Sequence, residues 1–96
     1  MSIRVVAKKK IDPENKEKAM LLFKEIVEET RKEEGCIYYN VNESLDDANV
    51  LTVIETWASK QALDNHMESE HFIRIIPQLE ALSDNPFEID VYEEKI

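Results

Sequence analysis

The part of this sequence richest in chemically versatile side chains is residues 54–72, which contain the only tryptophan, Trp57, and both histidines, His66 and His71. An imidazole can act near neutral pH as an acid, a base, a hydrogen-bond partner or a metal ligand. The two histidines are five residues apart, about 140° around an ideal helix, and so lack the i, i+4 spacing of a zinc-binding helix. Cys36 is the only cysteine that could add a softer ligand. The spacing therefore predicts no metal site, and each histidine is either an acid–base group or an ordinary surface or half-buried residue.

A carboxylate stands within the otherwise apolar segment "VLTVIETW", at Glu55. Such a group is tolerated among apolar neighbours only when it is hydrogen-bonded, ion-paired or protonated. A raised pKa would suit Glu55 to proton transfer near neutrality. The alternative is structural, an ion pair with Arg4, with Arg74 or with a cation of a partner chain.

Hydrophobic periodicity and turn residues predict the elements that position these side chains. The predicted strands are 3–10, 36–45, 50–58 and 87–93. The predicted helices run from a start capped by Asp12 to just before Gly35, from Ser59 to about His66, and from Ser69 to about Leu82 with a bend at Pro77. This β-α-β-β-α-β order predicts a single α+β domain over 1–96, with a ferredoxin-like antiparallel sheet and helices on one face.

The third predicted strand is apolar on both faces, with Leu51 and Val53 on one side and Val50 and Ile54 on the other. Helices can cover only one of these faces, and an antiparallel strand that is half buried would present polar residues to water. The apolar residues on the face that the helices leave uncovered predict a homodimer in which a second subunit packs sheet to sheet.

The hairpin of the two central strands decides which side chains share a face. A four-residue "DDAN" loop would place Tyr38 opposite Trp57 and Asn40 opposite Glu55. One face would then mix aromatic and polar groups, and would also include Cys36. The opposite, apolar face would carry Ile37, Tyr39, Val41, Leu45, Val50 and Ile54.

The composition limits the partners. The formal net charge is −9, so the molecule would repel nucleic acid and anionic membrane surfaces. The one basic run, Lys8 to Lys10, is interpreted as a solvated strand end. A single cysteine rules out an intramolecular disulfide and fits a reducing compartment. Without a signal-type or membrane-spanning apolar stretch, we expect a cytoplasmic protein.

Two blocks carry a family resemblance, "KEEGCIYY" at 32–39 and "IETWASKQALDNHMESEHF" at 54–72. Their skeleton of E-G-C-x-x-Y, E-x-W, A-L-x-x-H and S-x-H resembles the antibiotic biosynthesis monooxygenase superfamily, especially its small quinol monooxygenase-like members. The resemblance implies a dimeric α+β barrel with a pocket for a small aromatic or quinone-like molecule. It also implies oxidation by dioxygen with no metal, flavin, haem or other cofactor.

The resemblance further implies roles for individual residues. Such a site must deprotonate a phenol or quinol, hold the resulting charge and exclude water. Catalytic roles fall to His66, Glu55 and Trp57, with His66 or Glu55 as the base. The implied substrate-binding residues are Cys36, Tyr38, Asn40, His71 and Phe72.

Three other functions compete with this one. A haem-degrading branch relies on an Asn, Trp and His triad, but the corresponding positions here are Ala7, His66 and Ile76, which disfavours haem breakdown. An isomerase of a phosphorylated signalling sugar shares the strand-to-helix block, although the acidic charge argues against anionic ligands. A small-molecule-binding dimer without turnover is the third, because a family pattern fixes the fold better than the reaction.

Overall fold

Four strands and three α-helices follow one another in the predicted order in the computed structural model, which describes residues 1–96. The elements are β1 (Ile3–Lys10), α1 (Lys16–Thr30), β2 (Cys36–Glu43), β3 (Val50–Trp57), α2 (Lys60–Met67), α3 (Glu70–Glu80) and β4 (Glu88–Glu93). The strands lie in the order β2-β3-β1-β4, and every neighbouring pair is antiparallel. The predicted α+β, ferredoxin-like fold is confirmed. No helix combines the length and the apolar character that crossing a membrane requires.

Two serines cap the helices that follow β3. Ser59 Oγ accepts a hydrogen bond from the amide of Ala62 at 3.1 Å, and Ser69 Oγ accepts one from the amide of Phe72 at 3.3 Å. Both caps agree with the prediction. The predicted cap at Asp12 is wrong, because its side chain makes no such bond and a 3₁₀ turn over Pro13–Asn15 precedes α1.

Gly35 lets the turn after α1 approach α2 closely. Its φ is 85°, and a Cβ placed on it would lie 2.6 Å from the Cβ of Ala62. Only glycine adopts this left-handed conformation without strain and also fits the space. Gly35 O accepts a hydrogen bond from the amide of Ala58 at 2.8 Å, so the residues before β2 are fixed beside the start of α2.

The predicted register of the β2–β3 hairpin is wrong by one residue. Tyr39 lies opposite Glu55, and Val41 lies opposite Val53, with an irregularity near the start of β2. Opposed residues share a face, so Tyr39 joins Glu55 on the helix-covered side. Tyr38 and the residues that alternate with it turn to the outer face.

The longer loop explains this shift. It spans residues 44–49 rather than the four residues of "DDAN". Ser44 Oγ accepts hydrogen bonds from the amides of Asp46 and Asp47 at 3.1 and 3.3 Å, which fold the chain into a turn before the predicted one begins. Leu45, predicted to pair with Val50, is fully exposed.

The interpretation of the basic run as solvated surface is wrong for Lys9. Its side chain is 0% exposed, and its ammonium donates to the carbonyl oxygens of Glu80 at 3.1 Å, Ser83 at 3.3 Å and Asn85. Buried ammonium groups are tolerated only when they are paired in this way. Lys9 therefore attaches β1 to the C-terminal end of α3, while Lys8 and Lys10 are exposed as predicted.

Candidate active site

A cavity of about 290 Å³ lies between the inner face of the sheet and the helices α2 and α3. Its apolar wall consists of Val5, Ala7, Val53, Leu63, Met67, Phe72, Ile76, Phe87, Ile89 and Val91. The remaining lining residues are Tyr39, Glu55, Lys60, Asp64 and His66. Lys60 and Asp64 form an ion pair with each other at 3.0 Å. Burial raises the pKa of the Tyr39 phenol well above its usual value, so Glu55 and His66 are the lining groups that can exchange protons near neutral pH without such a neutralising partner on the wall.

Glu55 lies in the centre of the sheet, between Tyr39 of β2 and Val5 of β1. It is 5% exposed, and its Oε1 accepts a hydrogen bond from Trp57 Nε1 at 2.8 Å. Burial raises the pKa of Glu55 from 4.5 to about 7, and the negative charge of Glu33 adds to the rise, while the Trp57 bond opposes it. The group therefore exchanges a proton near neutral pH.

Two of the three structural alternatives for Glu55, the ion pairs with Arg4 and with Arg74, are wrong. Arg4 bonds to Thr56 Oγ1 at 3.0 Å and to the carboxylate of Glu94. Arg74 pairs with Glu70 at 2.6 Å and with Glu25 at 2.7 Å. Neither guanidinium reaches Glu55, whose carboxyl group is held by an indole instead of a cation.

His66 enters the cavity wall from α2 and is 1% exposed. Its ring centroid lies 4.7 Å from that of Trp57, 5.5 Å from that of Tyr39 and 5.1 Å from that of Phe72. Nδ1 lies 2.6 Å from Glu33 Oε2, whereas the buried Nε2 has no hydrogen-bond partner. Burial lowers the pKa of His66, although Glu33 opposes that change.

His71 lies on the other side of the same carboxylate, with its Nε2 2.7 Å from Glu33 Oε2. The turn between α2 and α3 brings the two histidines together, so the argument that their sequence spacing prevents a shared site is wrong. A carboxylate and two imidazoles form a possible set of transition-metal ligands, and Glu33, His66 and His71 are the residues here that could hold such an ion. Their separations of 2.6 and 2.7 Å are hydrogen-bond distances.

A comparison with known protein families identifies the family of this chain. The family model for "Antibiotic biosynthesis monooxygenase" matches residues 2–78. The chain belongs to the antibiotic biosynthesis monooxygenase family.

Solved structures of similar proteins share the whole fold. A conserved protein from Methanosarcina mazei is 43% identical, with a TM-score of 0.97 and coverage of 99% of this chain and 94% of that one. Rv0793 from Mycobacterium tuberculosis is 27% identical, with a TM-score of 0.94 and coverage of 100% and 97%. A structure described as an antibiotic biosynthesis monooxygenase is 30% identical, with a TM-score of 0.92 and coverage of 98% and 99%.

Curated relatives are also similar in sequence. An uncharacterised Synechocystis protein is 31% identical over 84 residues, or 88% of this chain, which spans 57% of the length of that relative. A Bacillus subtilis protein, by its name a candidate monooxygenase, is 26% identical over 80 residues, or 83% of this chain and 84% of its own length.

Five of the eight predicted site residues lie in or beside the cavity wall or contact Glu33. Glu55, His66 and Phe72 line the cavity. Trp57 is completely buried behind the wall, where it contacts Glu55 and His66. His71 reaches Glu33 and does not line the cavity.

Besides His71, three further predicted substrate-binding residues lie outside the cavity. Tyr38 and Asn40 extend from the outer face of β2, where Asn40 bonds to Arg31. The register error caused both assignments. Cys36 is half-buried against the core edge and does not line the cavity, and burial raises the pKa of its thiol. A thiol of raised pKa is a poor nucleophile.

Two residues at this site were missed by the sequence analysis. Tyr39 would have been found with the correct register, because the aromatic residue opposite Glu55 follows directly from the pairing. Glu33 lies in the charged segment "RKEEG", which has the composition of solvated surface. Only the three-dimensional proximity of α2 identifies it.

Proposed function

We propose that this protein is a cofactor-independent monooxygenase that oxidises a small phenolic or quinol-type aromatic molecule with dioxygen. The observation that carries the proposal is the apolar cavity of about 290 Å³ whose wall includes Glu55 and His66. Membership of the family and a candidate monooxygenase among the relatives support the reaction class. Such pockets bind ligands through apolar contact and orient them with a few polar groups.

The chemistry needs a base and an apolar enclosure. A quinol loses its hydroxyl proton to a basic group, and the resulting anion supplies electrons to dioxygen. One oxygen atom enters the ring, the other leaves as water with two hydrogens of the substrate, and the product is a hydroxyquinone. The substrate thus supplies every electron, while the protein orients it and keeps water away.

The two ionisable groups suit different parts of this reaction. His66, neutral because burial lowers its pKa, can accept the hydroxyl proton. Glu55, with a pKa of about 7, can donate a hydrogen bond to a substrate oxygen in its protonated form. Trp57 positions both groups from behind the wall.

The competing phosphosugar isomerase is less well supported. A phosphoryl group requires cationic or amide donors, and Lys60 is the cation on the cavity wall, where Asp64 already neutralises it. A binding dimer without turnover would use the same cavity, so activity measurements must distinguish it from an enzyme.

We also propose that the protein is a homodimer formed through the outer face of the sheet. Val6 and Ile54 lie next to each other there and are partly exposed, and Tyr38 and Tyr92 extend from the flanking strands with 44% and 55% exposure. Water-exposed apolar groups on one sheet face favour packing against a second sheet. The cytoplasmic location of the protein and the identity of its substrate stay predictions.

Oxygen consumption tests the proposed function. The protein is incubated with naphthohydroquinones and catechols, aerobically and anaerobically, and protein-free samples correct for autoxidation. We expect His66→Ala to reduce the rate about 10²- to 10⁴-fold, the usual contribution of a general base. Glu55→Gln should reduce it by less, because an amide still donates a hydrogen bond. Asn65→Ala, an exposed position on the same helix, is the matched control.

Two results would contradict the proposal. One is oxygen uptake that is the same in the wild type, His66→Ala and Glu55→Gln. The other is the absence of protein-dependent uptake with every compound. A compound that raises the melting temperature without being oxidised would favour the binding dimer.

A further inference from the structure

The carboxylate of Glu33 contacts both histidines through a single oxygen, Oε2, and no sequence pattern assigns this residue a role. We propose that Glu33 is a positioning residue that fixes His66 in the tautomer whose Nε2 can act as the base of the cavity, and that His71 holds Glu33 in place. This inference rests on the proposed function and deepens it, because it selects His66 over Glu55 as the base.

The tautomer follows from the hydrogen bond. A carboxylate accepts hydrogen bonds, so the 2.6 Å contact requires a proton on Nδ1 of His66. A neutral imidazole has one ring proton, and Nε2 therefore carries a lone pair. The partner of Nδ1, Glu33, does not line the cavity, whereas His66 does. Cε1 separates the two ring nitrogens, so Nε2 points away from Glu33, and it is buried without a partner.

The unpaired Nε2 is informative because buried polar atoms usually have partners. Nε2 of His66 is one of two buried side-chain polar atoms that lack one. A buried acceptor without a partner is unfavourable, and a bound hydroxyl group would satisfy it. If Nδ1 instead ligated a metal, the ring proton of neutral His66 would move to Nε2, leaving a buried donor without an acceptor. The geometry thus favours a base over a ligand.

The backbone holds Glu33 firmly. Its amide donates to the carbonyl oxygen of Thr30 at 3.0 Å, and its own carbonyl oxygen accepts from the amide of Cys36 at 3.2 Å. The neighbouring Gly35 permits the close approach to α2. The carboxylate is only 16% exposed, and the side chain of His71 only 13%. A carboxylate fixed in this way maintains the orientation of the imidazole.

The negative charge of Glu33 would stabilise the protonated form of His66 during proton transfer. When Nε2 takes the proton of a substrate hydroxyl group, its N–H bond forms and the substrate O–H bond breaks. The resulting imidazolium has a proton on each nitrogen, and Glu33 neutralises it at 2.6 Å. The other titratable groups nearby are Glu55 and Tyr39 on the sheet, Cys36 beside the turn, and His71. None of them replaces this direct contact.

NMR spectroscopy of labelled protein tests the tautomer without any substrate. Carbon and nitrogen shifts of the imidazole distinguish Nδ1–H from Nε2–H, and His71→Asn assigns the two histidines. We expect His66 to be the Nδ1–H tautomer at neutral pH. Glu33→Met, which removes the acceptor at similar size, should shift His66 towards Nε2–H, while Glu34→Met, at the exposed neighbouring position, should not.

Kinetics test the positioning role. Glu33→Gln keeps an acceptor oxygen but loses the charge, so kcat should fall about tenfold or more while KM changes little, and Glu34→Gln should resemble the wild type. The inference is overturned if wild-type His66 carries its proton on Nε2, or if Glu33→Met folds and leaves the tautomer unchanged. The wild-type measurement needs no variant to fold. If the tautomer is as expected but no quinol is oxidised, the proposed function fails while the Glu33–His66 assignment stands.

Discussion

Trp57 donates a hydrogen bond of 2.8 Å from its indole nitrogen to Glu55, two residues earlier on the same strand. Alternate residues of a strand project from one face, so the E-x-W spacing places the indole beside the carboxylate. The same indole packs against His66, with ring centroids 4.7 Å apart. One side chain therefore positions both ionisable groups of the cavity, although it does not line the cavity itself.

Removal of the indole donor should change the proton affinity of Glu55. The Trp57 bond stabilises the carboxylate and opposes the effect of burial, so Trp57→Phe should raise the pKa of Glu55 above about 7. It should also reduce the free energy of unfolding by about 1–3 kcal/mol, because a buried acceptor loses its partner. Carbon NMR of the labelled carboxyl group measures the pKa. An unchanged titration of Glu55 in Trp57→Phe would contradict this account, and Tyr92→Phe on the outer face serves as the control.

Glu55 should make the protein less stable as the pH rises. Its pKa is about 7 in the folded protein against 4.5 for the ordinary group, so the folded state binds more protons between these values. Stability attributable to Glu55 is therefore present below about pH 4.5, declines as the pH rises through 7, and amounts to about 3 kcal/mol. Glu55→Gln removes this decline and should be more stable, relative to the wild type, at pH 8 than at pH 4.5.

Urea unfolding of the wild type and Glu55→Gln at pH 4.5, 6 and 8 measures this difference. The lowered pKa of His66 contributes the opposite slope, since its stability is lost as the pH falls below the ordinary histidine value. That contribution is common to both proteins and cancels in the comparison. A constant difference in unfolding free energy across this pH range would show that Glu55 does not titrate as expected.

The sequence predicted the elements better than the site. Repeating apolar positions and the serines at 59 and 69 define the helices locally, and both capping bonds form. The hairpin register depends on a loop whose turn Ser44 starts early, so a small error moved Tyr38 and Tyr39 to the wrong faces. The role of Glu33 depends on contacts across 33 residues of sequence with His66, which no local pattern encodes.

Gly35→Ala should destabilise the fold and disturb the Glu33 contact together. The new methyl group would lie 2.6 Å from the Cβ of Ala62 at a φ of 85°, so both strain and overlap oppose it. We expect a loss of about 2–4 kcal/mol in the free energy of unfolding, from the cost of the left-handed conformation and of overpacking. Chemical denaturation measures it, with Glu34→Ala as the neighbouring control. A variant as stable as the wild type would mean that this turn is not tightly packed against α2.

Introduction of a charge on the outer face should separate the proposed dimer without unfolding the subunit. Ile54 lies at the centre of that face, opposite Val6 and Asn40, and is 36% exposed. Ile54→Glu would bury a carboxylate between two sheets if the dimer forms, which is unfavourable, whereas the isolated subunit would keep it in water. Leu21→Glu, at a position 67% exposed on α1, is the matched control.

Sedimentation equilibrium at micromolar concentration should show a dimer of the 11.2 kDa chain for the wild type and Leu21→Glu, and a monomer for Ile54→Glu. Circular dichroism should show similar helix content in all three proteins, because the residue faces away from the helices. A folded wild-type monomer would refute packing through the sheet. If Ile54→Glu is still a dimer, the subunits associate through another surface, and the apolar side chains of the outer face need a different explanation.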